Sequence, residues 1–206
     1  MLTPLRVLIA DDDWMLSVCL KSMIGSLGHH VVGTASTGQQ AIEMALAEGP
    51  DLIFMDVQMP VLDGLAATRQ LMLTRPTAII VISAEAASAA RGEAAGAMHS
   101  VVKPICGPEL SSLLEQAVRR FTWFLTLSAN STSHEEALRL WLAFREAVAA
   151  NPRVKSERAL FERLSGTPAG RAALARAAQH ITVDTETTPP LAPSGTARPV
   201  LAQRPT

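Results

Sequence analysis

The sequence has little of what marks proteins with cysteine-based metal sites, secreted proteins or membrane-spanning proteins. It contains two cysteines, Cys19 and Cys106, and their spacing matches neither a metal-binding nor a redox motif. No apolar run approaches the roughly 18 residues of a membrane span. The apolar run at residues 5–10 is too short for a signal peptide and ends in acidic residues. We therefore expect a reduced, cytoplasmic protein without a membrane-spanning segment.

Charge is also scarce and nearly balanced. Charged residues make up 18% of the 206 residues, and the formal net charge is −1, which argues against a chain that binds a polyanion along its whole length. Residues 1–106 nevertheless carry an acidic excess, whereas residues 107–183 carry a basic excess. This split predicts two modules with different partners.

Short apolar runs alternate with amphipathic windows over the first 120 residues. The runs RVLIA, HVVGTA, DLIFMD, AIIVIS and HSVVK predict five strands, and the windows that follow them predict five helices. Strands that alternate with helices favour an α/β fold with a parallel sheet. The strands are apolar throughout, which is typical of strands that helices cover on both faces.

After about residue 120 the strand signal disappears. Three helical windows follow, at residues 134–150, 155–164 and 169–180. The end of the chain is rich in proline and threonine and has little that could pack, so we expect it to be disordered. The predicted organisation is an α/β domain, a small all-α region and a tail, at residues 1–120, 121–182 and 183–206.

Polar side chains follow four of the five predicted strands, at the point where each strand ends. They are Asp11, Asp12 and Asp13 after the first strand, Asp56 at the end of the third, Ser83 at the end of the fourth and Lys103 at the end of the fifth. The carboxyl ends of parallel strands meet at one rim of a sheet, where open α/β proteins bind their ligands. We therefore expect these side chains to lie close together.

The carboxylates at this rim predict a divalent cation. Two like charges about 4 Å apart repel by about 1 kcal/mol in water and by more when partly buried, and a cation removes that cost. Asp12, Asp56 and a backbone carbonyl just after Asp56 offer the oxygen ligands that Mg²⁺ prefers. Together with Lys103 and the Ser83 hydroxyl, they suit phosphoryl transfer to a carboxylate. The alternative is that Asp12 or Asp13 only caps the next helix.

Four motifs occur in order at the predicted strand ends: LIADDD, DLIFMDVQMPVLDG, VISAE and VVKP. Over residues 4–120 the sequence therefore resembles the receiver domain of two-component response regulators. The resemblance implies a flavodoxin-like, doubly wound sheet of strand order 2-1-3-4-5. It also implies that Asp56 accepts a phosphoryl group from a sensor histidine kinase or phosphotransfer protein. The implied site comprises Ser83 as the switch hydroxyl, Lys103 as the ion-pairing lysine before a cis Pro104, and a Mg²⁺ site of Asp11, Asp12, Asp56 and the carbonyl of Gln58.

The sequence departs from the family three residues before the lysine. The family has an aromatic residue or histidine there, whereas this chain has Ser100, with His99 beside it. The segment that follows Ser83 is also slightly short, which predicts a short or loose fourth helix. We expect the signal to pass through that segment into the fifth helix, whose apolar stripe carries Phe121 and Phe124 and would form a self-association surface.

Residues 121–182 contain no Cys/His cluster, glycine-rich phosphate loop or nucleophile–base pattern. Two alternatives remain for this region. The apolar stripe around Phe124 predicts a helical bundle that dimerises or docks a partner protein. Arg171 and Arg176 instead fit the outline of a helix-turn-helix, and hence a DNA- or RNA-binding transcriptional regulator. We expect a phosphoacceptor that assists its own Mg²⁺-dependent phosphoryl transfer and hydrolysis and is not otherwise an enzyme.

Overall fold

The computed structural model describes residues 3–150, 156–181 and 183. The predicted disordered tail, apart from Val183, lies outside the described residues. The chain divides into two compact units, the first of which runs up to Phe121, while the second begins at Thr122. Among the described residues, no helix has both the length and the apolar character needed to cross a lipid bilayer.

The first unit alternates strands and helices along the chain, as predicted. Its strands are β1 (Arg6–Ala10), β2 (His30–Ala35), β3 (Leu52–Asp56), β4 (Ala78–Ser83) and β5 (His99–Val102). Its helices are α1 (Trp14–Ser26), α2 (Gly38–Glu48), α3 (Gly64–Thr74), α4 (Ala86–Ala94) and the first part of α5 (Gly107–Ser128). The strands are parallel and lie in the order β2-β1-β3-β4-β5, which confirms the predicted fold.

The core of this unit lies on both faces of the central strands. Every residue of β3 and β4 is buried, because helices cover a doubly wound sheet on both sides. Phe54 of β3 is among the largest fully buried side chains. Asp56 is the last residue of the same strand and pairs in register with Ile82. The phosphoacceptor candidate therefore stands where the buried core ends and the rim begins.

Polar caps fix where the helices around the rim begin. The Asp13 carboxylate accepts hydrogen bonds from the backbone N–H groups of Met15 and Leu16, and Asp63 caps α3 in the same way. A cap of this kind stabilises a helix by about 1 kcal/mol. The third aspartate of the acidic run thus starts α1, which leaves Asp11 and Asp12 for the rim.

The regular elements in the described part of the second unit are all helices. It contains the end of α5, α6 (His134–Ala149), α7 (Glu157–Gly166) and α8 (Pro168–Ala178). Aromatic rings from three of these helices meet in its core. The ring of Trp123 stacks on that of Phe161 at 5.2 Å and meets Phe144 edge-on at 6.1 Å, while Trp141 lies 5.7 Å from Phe144.

The apolar stripe of α5 is buried within the single chain. Phe121 is 4% exposed and Phe124 is fully buried. The expectation that these two side chains form a self-association surface is therefore wrong, because they have no surface left to present to a second copy. The sequence pattern shows that such a stripe must be covered, and in this structure its own chain covers it.

Candidate functional site

The polar residues predicted at the strand ends converge on one rim of the sheet. The Nζ atom of Lys103 lies 2.6 Å from Oδ1 of Asp56 and 3.0 Å from Oδ2 of Asp11. Carboxylate oxygens of Asp11, Asp12 and Asp56 all lie within 4.8 Å of one another. The structure thus brings three carboxylates and one ammonium group into a single site.

The parallel register explains this convergence. Ala10 of β1 pairs with Met55 of β3, so Asp11 and Asp56, the next residue on each strand, emerge side by side. On the other side, the Lys103 backbone N–H donates to the carbonyl of Ser83 at 2.8 Å. This bond extends the pairing of β4 with β5 by one residue and directs the lysine to the same rim.

The three carboxylates differ in burial and in their hydrogen bonds. Asp11 and Asp56 are each 3% exposed, whereas Asp12 is exposed. Asp56 accepts a hydrogen bond from the backbone N–H of Gln58 at 2.8 Å, and Oδ1 of Asp11 accepts one from the N–H of Asp13 at 2.9 Å. Oδ2 of Asp11 is buried and its charge is paired with that of Lys103 at 3.0 Å. A buried, negatively charged oxygen is a suitable ligand for a metal cation.

Burial sets the protonation behaviour of the site. Burial raises the pKa of Asp11, and the nearby negative charge of Asp56 raises it further. Hydrogen bonds from Lys103 and from the N–H of Asp13 lower this pKa, but the net shift is still upward. Burial lowers the pKa of Lys103, but its hydrogen bonds to Asp56 and Asp11, with their charges, outweigh burial and raise the pKa. The lysine is therefore a firmly held cation, and ionised Asp11 is held at a cost in free energy.

Ser83 lies at the end of β4 and is 2% exposed. Its hydroxyl oxygen accepts a hydrogen bond from the N–H of Glu85 at 3.2 Å, and a hydroxyl that accepts still has its own hydrogen to donate. On the neighbouring strand Asp56 pairs with Ile82, so Ser83 stands one position beyond that pair. The structure places Ser83 at the same rim as Asp56.

The loop after Asp56 is tightly constrained. A Cβ atom on Gly64 would lie 1.8 Å from the carbonyl oxygen of Asp56, so no larger residue fits there without moving the loop. Val61 adopts φ 69°, a strained value for a β-branched residue, and the residue is 88% exposed. The sequence motif indicated the glycine but gave no sign of the strain at Val61. The Lys103–Pro104 bond is cis, as the resemblance implied.

A groove of about 360 Å³ lies beside the carboxylates. It is bordered by α1, β2 and α2, and Asp12, Trp14, Ser17 and Lys21 are among its lining residues. Trp14 is 71% exposed at its edge. The Ser17 hydroxyl is buried and has no hydrogen-bond partner among the described residues. Sequence reasoning assigned no role to Ser17, because a single serine in a helix forms no recognisable pattern.

Comparisons with known proteins agree with this geometry. The family model for the response regulator receiver domain matches residues 7–115. The transcriptional regulatory protein PdtaR of Mycobacterium tuberculosis is 36% identical over 137 residues, which cover 66% of this chain and 67% of PdtaR. The protein-glutamate methylesterase/protein-glutamine glutaminase of Archaeoglobus fulgidus is 34% identical over 131 residues. The solved response regulator domain of Thermotoga maritima CheB is 34% identical, with a TM-score of 0.53, and the match covers 57% of this chain and 98% of that domain.

These comparisons correct the expectation that the protein is not an enzyme. The Archaeoglobus relative is an enzyme by name, and the shared stretch covers 61% of this chain but only 38% of that protein. The matched domain therefore occurs in enzymes, and its presence does not support an absence of enzymatic activity. The expectation was wrong because it treated the lack of a recognisable catalytic pattern as evidence against catalysis.

The raised pKa of Asp11 predicts how the site affects stability. Because the fold favours protonated Asp11, the unfolding free energy of the metal-free protein should fall as pH rises from the ordinary value of 3.8 through the folded-state pKa. Asp11→Asn should therefore stabilise the metal-free protein at neutral pH by about 1 kcal/mol. This gain should disappear in acid, below the ordinary pKa.

Melting curves in a chelator across this pH range would test the prediction. Asp63→Asn is the matched control, since Asp63 lies outside the cluster and asparagine caps a helix about as well as aspartate. A lower melting temperature for Asp11→Asn at neutral pH would contradict the account, as would an equal gain in Asp63→Asn.

Proposed function

Since the chain belongs to the response regulator receiver domain family, we propose that it is a phosphorelay response regulator and that Asp56 is its phosphoacceptor. The observation that carries the proposal is the 2.6 Å contact between Asp56 and Lys103. It occurs at a rim where Asp11 and Asp12 supply further negative charge. A carboxylate, a fixed ammonium group and a cation-binding cluster are together the groups that phosphoryl transfer to an aspartate needs.

In the proposed reaction, a carboxylate oxygen of Asp56 attacks the phosphorus of a phosphohistidine. A P–O bond forms and the P–N bond breaks, and the leaving imidazole nitrogen keeps the electron pair and takes up a proton. Lys103 neutralises charge on the transferred group, and the N–H of Gln58 orients the Asp56 carboxylate. Ser83 donates its hydroxyl hydrogen to a phosphoryl oxygen once the group is in place.

We propose that Asp11, Asp12, Asp56 and the backbone carbonyl of Gln58 hold Mg²⁺. The closeness of the three carboxylates, two of which are buried, supports this assignment. When bound, Mg²⁺ would offset the negative charge of the carboxylates and of the phosphoryl group. Proteins usually bind Mg²⁺ through a few oxygen ligands and leave its remaining coordination positions to water.

The proposed phosphoryl donor is a sensor histidine kinase or a phosphotransfer protein, because these are the donors of the receiver family. The helical unit is the proposed output region. The structure gives it a core of its own, in which Trp123 packs against Phe144 and Phe161. A homodimer stays a prediction, and the buried face of α5 does not support it.

Two kinds of output partner are in question, and different observations favour each. Nucleic acid is favoured by PdtaR, which is named a transcriptional regulatory protein and which matches over a longer stretch than the receiver domain alone. Helix α8 agrees with this, since Arg171 and Arg176 are exposed and the helix has no acidic residue. A protein partner is favoured by α7, where arginine and glutamate alternate and Arg158 pairs with Glu162 at 2.8 Å.

The phosphoacceptor assignment predicts a single labelled residue. With acetyl phosphate, wild type should gain one phosphoryl group at Asp56, and only when Mg²⁺ or Mn²⁺ is present. Asp56→Asn should gain none, whereas Asp63→Asn, a nearby exposed aspartate, should be labelled like wild type. Intact mass and peptide mapping would measure this. Labelling of Asp56→Asn at the wild-type level would show that Asp56 is not the phosphoacceptor.

The output assignment predicts a charge-dependent gel shift if nucleic acid is the partner. Full-length protein should shift RNA or DNA fragments, and beryllofluoride with Mg²⁺ should change the affinity. Arg171→Gln with Arg176→Gln should weaken binding by about tenfold or more, because phosphate contacts dominate such affinities. Arg158→Gln, whose arginine pairs with Glu162, is the control and should bind like wild type. If no fragment is shifted, with or without beryllofluoride, the nucleic-acid assignment is contradicted and docking to a partner protein is favoured.

A further inference from the structure

One wall of the groove beside the carboxylates is a single face of α1. Trp14, Ser17, Val18 and Lys21 all line the groove, and they follow the i, i+3, i+4 and i+7 spacing of residues on one side of a helix. Lys21 lies two turns beyond Trp14, or about 10 Å along the helix axis. The groove therefore follows α1 from the rim of the sheet towards Lys21.

The opposite wall carries no charged side chain. It consists of Thr34, Ala35 and Ser36 around the end of β2, and of Gln40 on α2. The Oε1 atom of Gln40 accepts hydrogen bonds from the backbone N–H and from the hydroxyl of Ser36, both at 3.0 Å. This wall is therefore held by contacts of its own, and the charges in the groove come from the rim and from α1.

The charges that line the groove lie at its two ends. Asp11 and Asp12 stand at the rim, and Lys21 stands further along α1. The Asp11 carboxylate is paired with Lys103. Asp12 and Lys21 are exposed, and neither forms an ion pair within the part of the chain that the structure describes. One negative and one positive group are thus available to a ligand in the same groove.

Trp14 favours an organic cation at the negative end. Its indole ring is exposed, and both Trp14 and Asp12 line the groove. Among aromatic rings, indole attracts an ammonium or guanidinium group most strongly. Mg²⁺ gains less from such a ring because it gives up its hydration water reluctantly. A carboxylate beside an exposed indole is therefore suited to an amino or guanidino group.

Ser17 provides an observation that does not depend on charge. It is 6% exposed and lines the groove, and its hydroxyl has no hydrogen-bond partner among the described residues. A buried polar group without a partner is unfavourable, and such groups are rare enough in proteins that each calls for an explanation. An amino group at the rim end of the groove would supply the partner. The groove volume of about 360 Å³ is large enough for a small molecule.

We propose that this groove binds a small, elongated zwitterion. The amino or guanidino group of the ligand lies between Asp12 and Trp14 and donates to the Ser17 hydroxyl oxygen, and its carboxylate pairs with Lys21. A cation held at Asp12 competes with Mg²⁺ for the rim, so the ligand opposes phosphorylation of Asp56. This regulatory effect rests on the proposed function above, whereas binding in the groove does not.

The first test uses 6-aminohexanoate as the probe, in a chelator and at fixed ionic strength. Full-length protein labelled with ¹⁵N-tryptophan has three indole N–H groups, and the Trp14 signal is assigned with Trp14→Phe. The probe should shift the Trp14 signal but not those of Trp123 and Trp141, which belong to the second unit. Hexylamine, which lacks the carboxylate, should bind about two- to fivefold more weakly, and hexanoate more weakly still. A Trp14 signal that the probe does not move, or equal affinity for hexanoate, overturns the site.

Variants then identify the residues that hold each end of the probe. In Lys21→Gln the advantage of 6-aminohexanoate over hexylamine should disappear. Arg69→Gln is the matched control, because it removes a positive charge from α3 outside the groove, and it should keep that advantage. Ser17→Ala should weaken the binding of both amines by about threefold or more. An advantage that persists in Lys21→Gln, or unchanged binding in Ser17→Ala, overturns the assigned orientation.

Competition with Mg²⁺ tests the link between the groove and the rim. Mg²⁺ should raise the Kd of 6-aminohexanoate in wild type, and the probe should slow labelling of Asp56 by acetyl phosphate more in wild type than in Lys21→Gln. If the protein binds Mg²⁺ but the Kd of the probe does not change, the competition is overturned. If the probe binds while Asp56 is not labelled even in its absence, the groove site stands and the proposed phosphoacceptor function fails.

Discussion

Repulsion among the carboxylates at the rim is the interaction on which the rest of the site depends. Asp11, Asp12 and Asp56 place three negative charges within a few ångströms, and one cation of the chain, Lys103, contacts two of them. Burial makes ionised Asp11 still less favourable. The arrangement is thus left with excess negative charge that further positive charge at the rim would relieve, and this imbalance supports the proposed Mg²⁺ site.

Backbone contacts of the fold hold these charges in place. Parallel pairing of β1 with β3 puts Asp11 beside Asp56. The hydrogen bond from the Lys103 N–H to the carbonyl of Ser83 extends the pairing of β4 with β5 and places Lys103 at the same rim. Close packing around Gly64 keeps the loop after Asp56 in position. These backbone constraints, together with a fully buried central strand, hold the charges close despite their repulsion. The free energy that opposes repulsion comes from the apolar core.

Much of this could be predicted from the sequence, because the signals were periodic or ordered. Alternating apolar runs indicated the strands and the parallel sheet, the family resemblance implied the strand order, and the strand-end motifs indicated the residues that the structure brings together. The burial of Phe124 within its own chain could not be predicted. An apolar stripe on a helix shows that this face must be buried, but not which part of the protein packs against it. The strain at Val61 depends on tertiary geometry that no local pattern carries.

Direct titration of Mg²⁺ by calorimetry tests the central claim, that unbalanced carboxylates form a cation site at this rim. The account predicts that each full-length chain binds a single Mg²⁺ ion and that Asp12→Ala, which removes the exposed carboxylate, weakens the affinity by about tenfold or more. Asp13→Asn should bind like wild type, because Asp13 caps α1. Unchanged affinity in Asp12→Ala, or no binding to wild type, would contradict it.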